Sequence, residues 1–245
     1  MGDPLGSFYG YRYKGVYQNV EETYAVDKTG QQIMDINGAP VVVKNGDQKV
    51  YPGDAKYEDV NGDGVIDEND IVYLGNSNPT LTGGLNFTLR YKKLSLVAAL
   101  HGRAGQKVIN ESRINMENMY GKNNQSVAVL RRWRSEGDNT DIPRALYDKG
   151  YNYLGSDRFV EDASFLRLKT ITLKYQFPEN WMKPLGINKL EIYATGYDLF
   201  VWTKYTGQDP EINLKNPDGS AAQVAIDSNN TPKAMRFAFG LNLRF

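Results

Sequence analysis

Read backwards from its end, the chain alternates without a break. Met235, Phe237, Phe239, Leu241, Leu243 and Phe245 fall on one side, and Ala234, Arg236, Ala238, Gly240, Asn242 and Arg244 on the other. A period of two is that of an extended strand. One wholly apolar face against one holding arginine, asparagine and small residues predicts a strand with lipid on one side and a polar lumen on the other. Residues 234–245 also match the roughly 9–11 residues that a tilted strand needs to cross a bilayer. Taken alone, the segment also fits an amphipathic strand of a soluble sandwich.

The same pattern recurs upstream. A second strand is expected from Leu190 to Tyr205, where Leu190, Ile192 and Ala194 alternate with Glu191, Tyr193 and Thr195, and Tyr197, Phe200 and Trp202 suit an interfacial aromatic girdle. A third is expected over residues 159–177, with Ile171, Leu173, Tyr175 and Phe177 facing one way and Thr170, Thr172, Lys174 and Gln176 the other. Arg167 and Lys169 put charge in its apolar register, so that end is read as standing above the membrane. Residues 85–91 and 94–100 alternate likewise and are separated only by Lys92 and Lys93, which predicts a tight hairpin. Residues 8–18, with Tyr9, Tyr11, Tyr13 and Tyr17, form a sixth candidate.

The connections between these runs alternate between long and short: about 28 residues (206–233), about 11 (178–188), about 56 (103–158), the Lys92-Lys93 turn, and about 65 (19–83). Outer-membrane barrels show this pattern, with short periplasmic turns and long extracellular loops, whereas loops of this size are uncommon in compact soluble domains. The expected fold is therefore all-β: an antiparallel transmembrane β-barrel segment with long extracellular loops, occupying the whole of residues 1–245. Six strands cannot close a membrane barrel, whose smallest form has about eight. Partner strands outside this chain are expected.

Composition agrees. Seventeen Tyr, nine Phe and three Trp in a chain that is polar on average suit strands apolar on one face and joined by polar loops. Twenty-nine basic residues balance 29 acidic ones without a long block of either sign, so a nucleic-acid surface is not suggested. With no cysteine there is neither a disulfide framework nor a thiolate metal site. No run of eighteen apolar residues is present, so only a barrel could span a bilayer. The opening Met1-Gly-Asp-Pro-Leu-Gly6 is neither basic nor apolar and does not read as a signal peptide; for an exported protein, that leads one to expect further residues upstream.

The sharpest chemical motif is Asp59-Val-Asn61-Gly-Asp63-Gly64-Val65-Ile66-Asp67-Glu-Asn-Asp70. Oxygen side chains at positions 1, 3, 5, 9 and 12 of a twelve-residue loop, with glycine at position 6, are the offsets of an EF-hand calcium loop. Asp59, Asn61, Asp63, the Val65 carbonyl, Asp67 and Asp70 are the candidate ligands of a structural Ca2+. Asp70, in place of the usual bidentate Glu, supplies a shorter arm. A polar Asn/Asp/Gly turn without an ion is the plainer reading. No helical pattern flanks the loop, so a stiffening clip is expected rather than a switch.

Catalytic signals are thin. His101 is the only histidine, which leaves a histidine triad a single candidate and a His-based metal site none. Carboxylate pairs such as Glu161-Asp162 lie where loops are expected, and no phosphate-binding glycine loop is present. An enzyme is not expected. Arg131, Arg132, Trp133 and Arg134 form a basic, aromatic cluster read as a solvated or partner-facing segment.

Several strings resemble one family, the SusC/RagA type of TonB-dependent outer-membrane transporter. They are Gly10-Tyr-Arg-Tyr-Lys-Gly15, Gly53-Asp-Ala-Lys-Tyr-Glu-Asp-Val-Asn-Gly-Asp-Gly-Val-Ile-Asp67, Gly75-Asn-Ser-Asn-Pro79, Ser156-Asp-Arg-Phe-Val-Glu-Asp-Ala-Ser-Phe-Leu-Arg-Leu-Lys169, Tyr205-Thr-Gly-Gln-Asp-Pro-Glu211 and Gly240-Leu-Asn-Leu-Arg-Phe245. The resemblance implies a 22-stranded barrel with a plug, of which this chain would supply about the last six strands. It also implies import of oligosaccharides or peptides, a SusD-like lipoprotein on the extracellular loops, and TonB acting on an N-terminal box. That box, the plug and the earlier strands are expected outside these residues. A calcium-stabilised β-sandwich that binds glycans in solution is the alternative.

Overall fold

A computed structural model describes residues 2–212, 214–215, 224–229 and 231–245. The chain divides into two compact units. One comprises Met1–Ser77, Val108–Glu161 and Asn213–Asn229, the other Asn78–Lys107, Asp162–Ile212 and Asn230–Phe245.

The second unit is one antiparallel meander of five strands: β1 (Leu81–Tyr91), β2 (Leu94–Ala104), β3 (Phe165–Gln176), β4 (Lys189–Thr203) and β5 (Arg236–Arg244). They lie side by side in chain order, so β1 and β5 are its edges among the described residues. The Lys92-Lys93 turn is the expected tight hairpin, with Lys92 at φ 53. The alternation of each strand becomes a property of the whole sheet through the register. Leu89, Leu96, Leu173, Ala194 and Phe239 stand in one cross-strand row, and Tyr91, Leu94, Tyr175, Ile192 and Leu241 in another. Between these two, on the opposite face, lies Arg90, Ser95, Lys174, Tyr193 and Gly240. Because the side-chain period is two, a slip by one residue would break every row at once.

Three sequence expectations need correction. The third strand begins at Phe165 rather than Phe159, because Val160–Asp162 forms a separate short strand. Arg167 is not in the apolar register. The pairing of β3 with both neighbours shifts between Leu168 and Thr170, and this bulge exchanges the parity of the strand, so Arg167 lies on the face opposite Leu166 and Leu168. Residues 8–18 are not a sixth strand of the sheet. They form Ser7–Gly10, paired with Val72–Asn76, and Tyr13–Val16, paired with Ala55–Tyr57.

Those pairings build the first unit, so the long connections are not structureless. Tyr17, Ala25, Val43, Val50, Ala55, Tyr57 and Ile66 form its core. Beside it the fully buried Asp54 accepts from Arg144 Nε at 2.6 Å and from the Tyr51 backbone N–H at 2.8 Å, and Asn152 donates to it at 3.2 Å. A buried carboxylate with this many donors is compensated rather than stranded. No helix among the described residues is long and apolar enough to cross a membrane, which says nothing of strands.

Candidate functional site

Two features of the second unit bear on function: its apolar face and an ion cluster at one end. On the face, Phe237, Phe239, Leu241, Leu85 and Leu89 are each at least 60% exposed. A contiguous exposed apolar surface of this kind marks a contact with lipid or with another protein. Aromatic residues stand near both ends of it, Tyr175 edge-on to Phe177 at 5.1 Å and Phe200 stacked on Trp202 at 6.1 Å. From Leu166 to Phe177 about eleven steps of ~3.3 Å span ~36 Å along the strand; tilted by ~45°, that gives ~26 Å of height, close to the ~25 Å apolar band of outer-membrane barrels.

The ion cluster gathers at the bulge of β3. Arg167, only 3% exposed, pairs with Asp209 and stands 3.4 Å from Glu211. Lys169 reaches Glu211 at 2.9 Å, and Lys233 pairs with the same carboxylate. The Lys233 backbone N–H also donates to Asp209 at 3.4 Å. Burial alone would raise the Glu211 carboxyl, but hydrogen bonds from Lys233 and Lys169 and their charges hold it down at about 2. The cluster therefore ties residues 209–211 and 233, the two ends of the connection before β5, to each other and to β3. The interior of that connection, part of the expected 206–233 loop, lies outside the described residues. Sequence reasoning missed this clamp. Its one visible signal was the pair of charges at Arg167 and Lys169.

In the first unit, the six predicted calcium positions lie on one turn-rich loop. Asp59 accepts from the backbone N–H of Gly62 at 2.6 Å and of Gly64 at 2.7 Å, and Asp63 from that of Val65 at 2.8 Å. Gly64 is at φ 81, and a Cβ there would stand 2.8 Å from the Ala25 side chain, so the loop needs glycine at its sharpest point. Asp70 is fully buried and accepts from the N–H groups of Val60 at 2.7 Å and Asp67 at 3.0 Å, bracing the loop from below. Asn61 donates to Asp63 at 2.8 Å, and Asp67 caps the turn after it through Asn69. The donor set is all oxygen and suits a hard cation in chemistry. Among the described residues, however, no three carboxylate or imidazole groups converge as a metal-holding group.

Of the remaining candidates, His101 and Trp133 are engaged in packing. His101 packs edge-on to Phe165 at 5.8 Å between ring centres. Trp133 lies over Gly53, where a Cβ would come within 2.3 Å of the indole, so its ring is used in packing. Arg158 is buried against Glu117 at 3.1 Å and over the rings of Tyr13 and Phe159. Glu117 also pairs with Arg113 at 2.9 Å. No nucleophile, base and orienting group come together in these clusters.

No protein-family model matches the chain. Over its full length it is 30% identical to TonB-dependent receptor P3 and 32% identical to TonB-dependent receptor P26 of Formosa agariphila, covering 22% and 23% of those proteins. It is 29% identical to TonB-dependent receptor SusC of Bacteroides thetaiotaomicron across 88% of this chain and 19% of that one. The chain thus spans less than a quarter of the length of these curated relatives. In fold it is similar to part of the RagAB peptide importer. For the closed-closed state the TM-score is 0.64 at 24% identity, with 99% of this chain and 24% of the solved chain covered. The chain is homologous over its full length to part of the TonB-dependent receptors of the SusC/RagA type, transporters that are outer-membrane proteins and not enzymes.

Proposed function

We propose that the chain is the C-terminal wall of an outer-membrane importer: the five-stranded sheet is the end of a 22-stranded barrel, and the first unit is built from its extracellular loops. The observation that carries this is the set of unbroken apolar rows across all five strands, backed by polar rows on the other face. A sandwich in solution would have to cover that face with a second sheet. In this reading the apolar face meets lipid and the polar face lines the lumen. Cargo is a peptide or an oligosaccharide, a SusD-like lipoprotein sits on the extracellular loops, and TonB engages a region outside this chain. The 59–70 loop takes a structural Ca2+ through Asp59, Asn61, Asp63, the Val65 carbonyl and Asp67, with Asp70 beneath.

Neighbouring residues of β5 test the wall. Phe239→Arg, on the apolar face, is expected to cost roughly 2–4 kcal/mol near the midplane, while Ala238→Arg, on the polar face, costs little. Folding titrations of the full-length receptor in lipid vesicles measure both. Equal effects of the two substitutions would overturn the assignment of faces.

A further inference from the structure

At the end of the sheet where β1 turns into β2, Lys92 and Lys93 alone make the connection. The chain from β3 to β4 reverses at the same end but folds on the way. It forms a helical turn, Glu179–Met182, that continues as a tighter one, Lys183–Leu185. Gly186, at φ 68, closes it by donating from its N–H to the Lys183 carbonyl at 3.0 Å. Both ends are tied to the sheet: the Phe177 N–H donates to the Leu190 carbonyl at 2.9 Å, and the Asn188 N–H to that of Arg244 at 2.8 Å. The position of the turn relative to the strands is thereby fixed.

The turn has two sides. Met182 is 9% exposed, whereas Trp181 is 60% and Leu185 68% exposed. They follow directly on Tyr175 and Phe177, the aromatic pair that ends the apolar face. Cations gather at the same level. Lys183 lies in the turn itself, and Lys189 stands opposite Arg244 at the start of β4. Lys93 is alongside, its carbonyl accepting from the Gln176 N–H at 2.9 Å. The acidic side chains here are Glu179 and Glu191, the second paired with Lys189 at 3.6 Å, so positive groups outnumber negative ones.

We infer that residues 178–188 are an interfacial anchor seated on anionic phospholipid, with Trp181 and Leu185 entering between head groups and Lys183 meeting their phosphates. A tryptophan is stable at that depth because its ring is apolar while its N–H reaches water. Basic side chains beside it are drawn to anionic lipid. On the proposed reading of the wall, on which this inference rests, Phe177 ends the ~26 Å apolar band, so the turn that follows stands at head-group level. The same reading puts the long loops outside the cell and this turn at the periplasmic leaflet, which is phospholipid.

Nitroxide labels on single cysteines test this in the full-length receptor, reconstituted in phosphatidylcholine vesicles with and without phosphatidylglycerol. Collisions are read with oxygen, which partitions into lipid, and with a neutral nickel chelate, which stays in water. This chain has no cysteine, and any elsewhere in the receptor are replaced with serine. A label at Leu185→Cys is expected to meet nickel several-fold less than one at Asn37→Cys, an exposed turn position of the first unit, and less again when phosphatidylglycerol is present. Trp181→Ser with Lys183→Gln should restore nickel collisions at 185 several-fold. Nickel collisions at 185 equal to those at 37 overturn the anchor. Low collision with both reagents also overturns it, since that marks a protein lying over the turn. Equal values with and without phosphatidylglycerol overturn the choice of an anionic lipid. Phe239→Cys reports the wall separately. A label there rich in oxygen collisions, with 185 in water, refutes the anchor alone, whereas a label at 239 in water refutes the wall and the anchor with it.

Discussion

Replacing Arg167 with methionine keeps most of the side-chain volume and removes a charge that is 3% exposed. Removing one partner of a buried pair typically costs about 3–5 kcal/mol, because the other charge is left behind. Here the penalty is tempered: Asp209 keeps the backbone N–H of Glu211 at 2.9 Å and that of Lys233 at 3.4 Å, and Glu211 keeps both lysines. About 3 kcal/mol is the expected cost, localised at the loop base. At 1.4 kcal/mol per decade, that raises the opening equilibrium there by about a hundredfold. Hydrogen exchange at the Glu211 and Lys233 amides of the full-length receptor reads it directly. A second variant sharpens the argument: R167M with D209L removes both charges and should recover most of the loss, since a buried pair replaced by apolar residues is often neutral. Exchange in R167M within a factor of three of the parent would refute the clamp as a local stabiliser. Failure of D209L to rescue would refute the account based on stranded charge.

Three further outcomes follow. Glu211 has its carboxyl held at about 2, below the ordinary value of about 4.3; its contribution is therefore complete above pH ~4.3 and is lost as pH falls through about 2. Pepsin cleavage within residues 206–233 should rise across that window, and E211Q should remove the pH dependence. Gly53→Ala places a Cβ within 2.3 Å of Trp133 at φ 89 and should destabilise the first unit by about 2 kcal/mol, read as faster proteolysis of residues 1–77. Asp59→Ala with Asp63→Ala should abolish calorimetric binding of Ca2+; an unchanged titration would remove that loop from the proposal.

The sheet was legible in the sequence to the extent that period two alone determines a strand. The expected strands at 85–91, 94–100 and 234–245 lie close to the observed Leu81–Tyr91, Leu94–Ala104 and Arg236–Arg244. The Arg167 anomaly was visible but misread, because a bulge changes parity without leaving a mark in composition. The first unit was illegible for a different reason. Its pairings, such as Tyr13–Val16 with Ala55–Tyr57, are short and join residues about forty apart, so no window of sequence contains both partners. The calcium loop was read from spacing alone, and the hydrogen bonds of Asp59 and Asp70 show what the same spacing does for the backbone.

The two edge strands have a consequence for biogenesis. All eleven residues of Leu81–Tyr91 are exposed, and on its outer side roughly every second N–H and C=O has no ladder partner among the described residues. In hydrocarbon each such group costs several kcal/mol, so about ten of them outweigh the whole stability of an ordinary domain. The sheet is thus a seam waiting to be sewn. On the proposed reading of the wall, it would enter the bilayer only as its neighbour strand arrives, which makes insertion and closure one cooperative event rather than two.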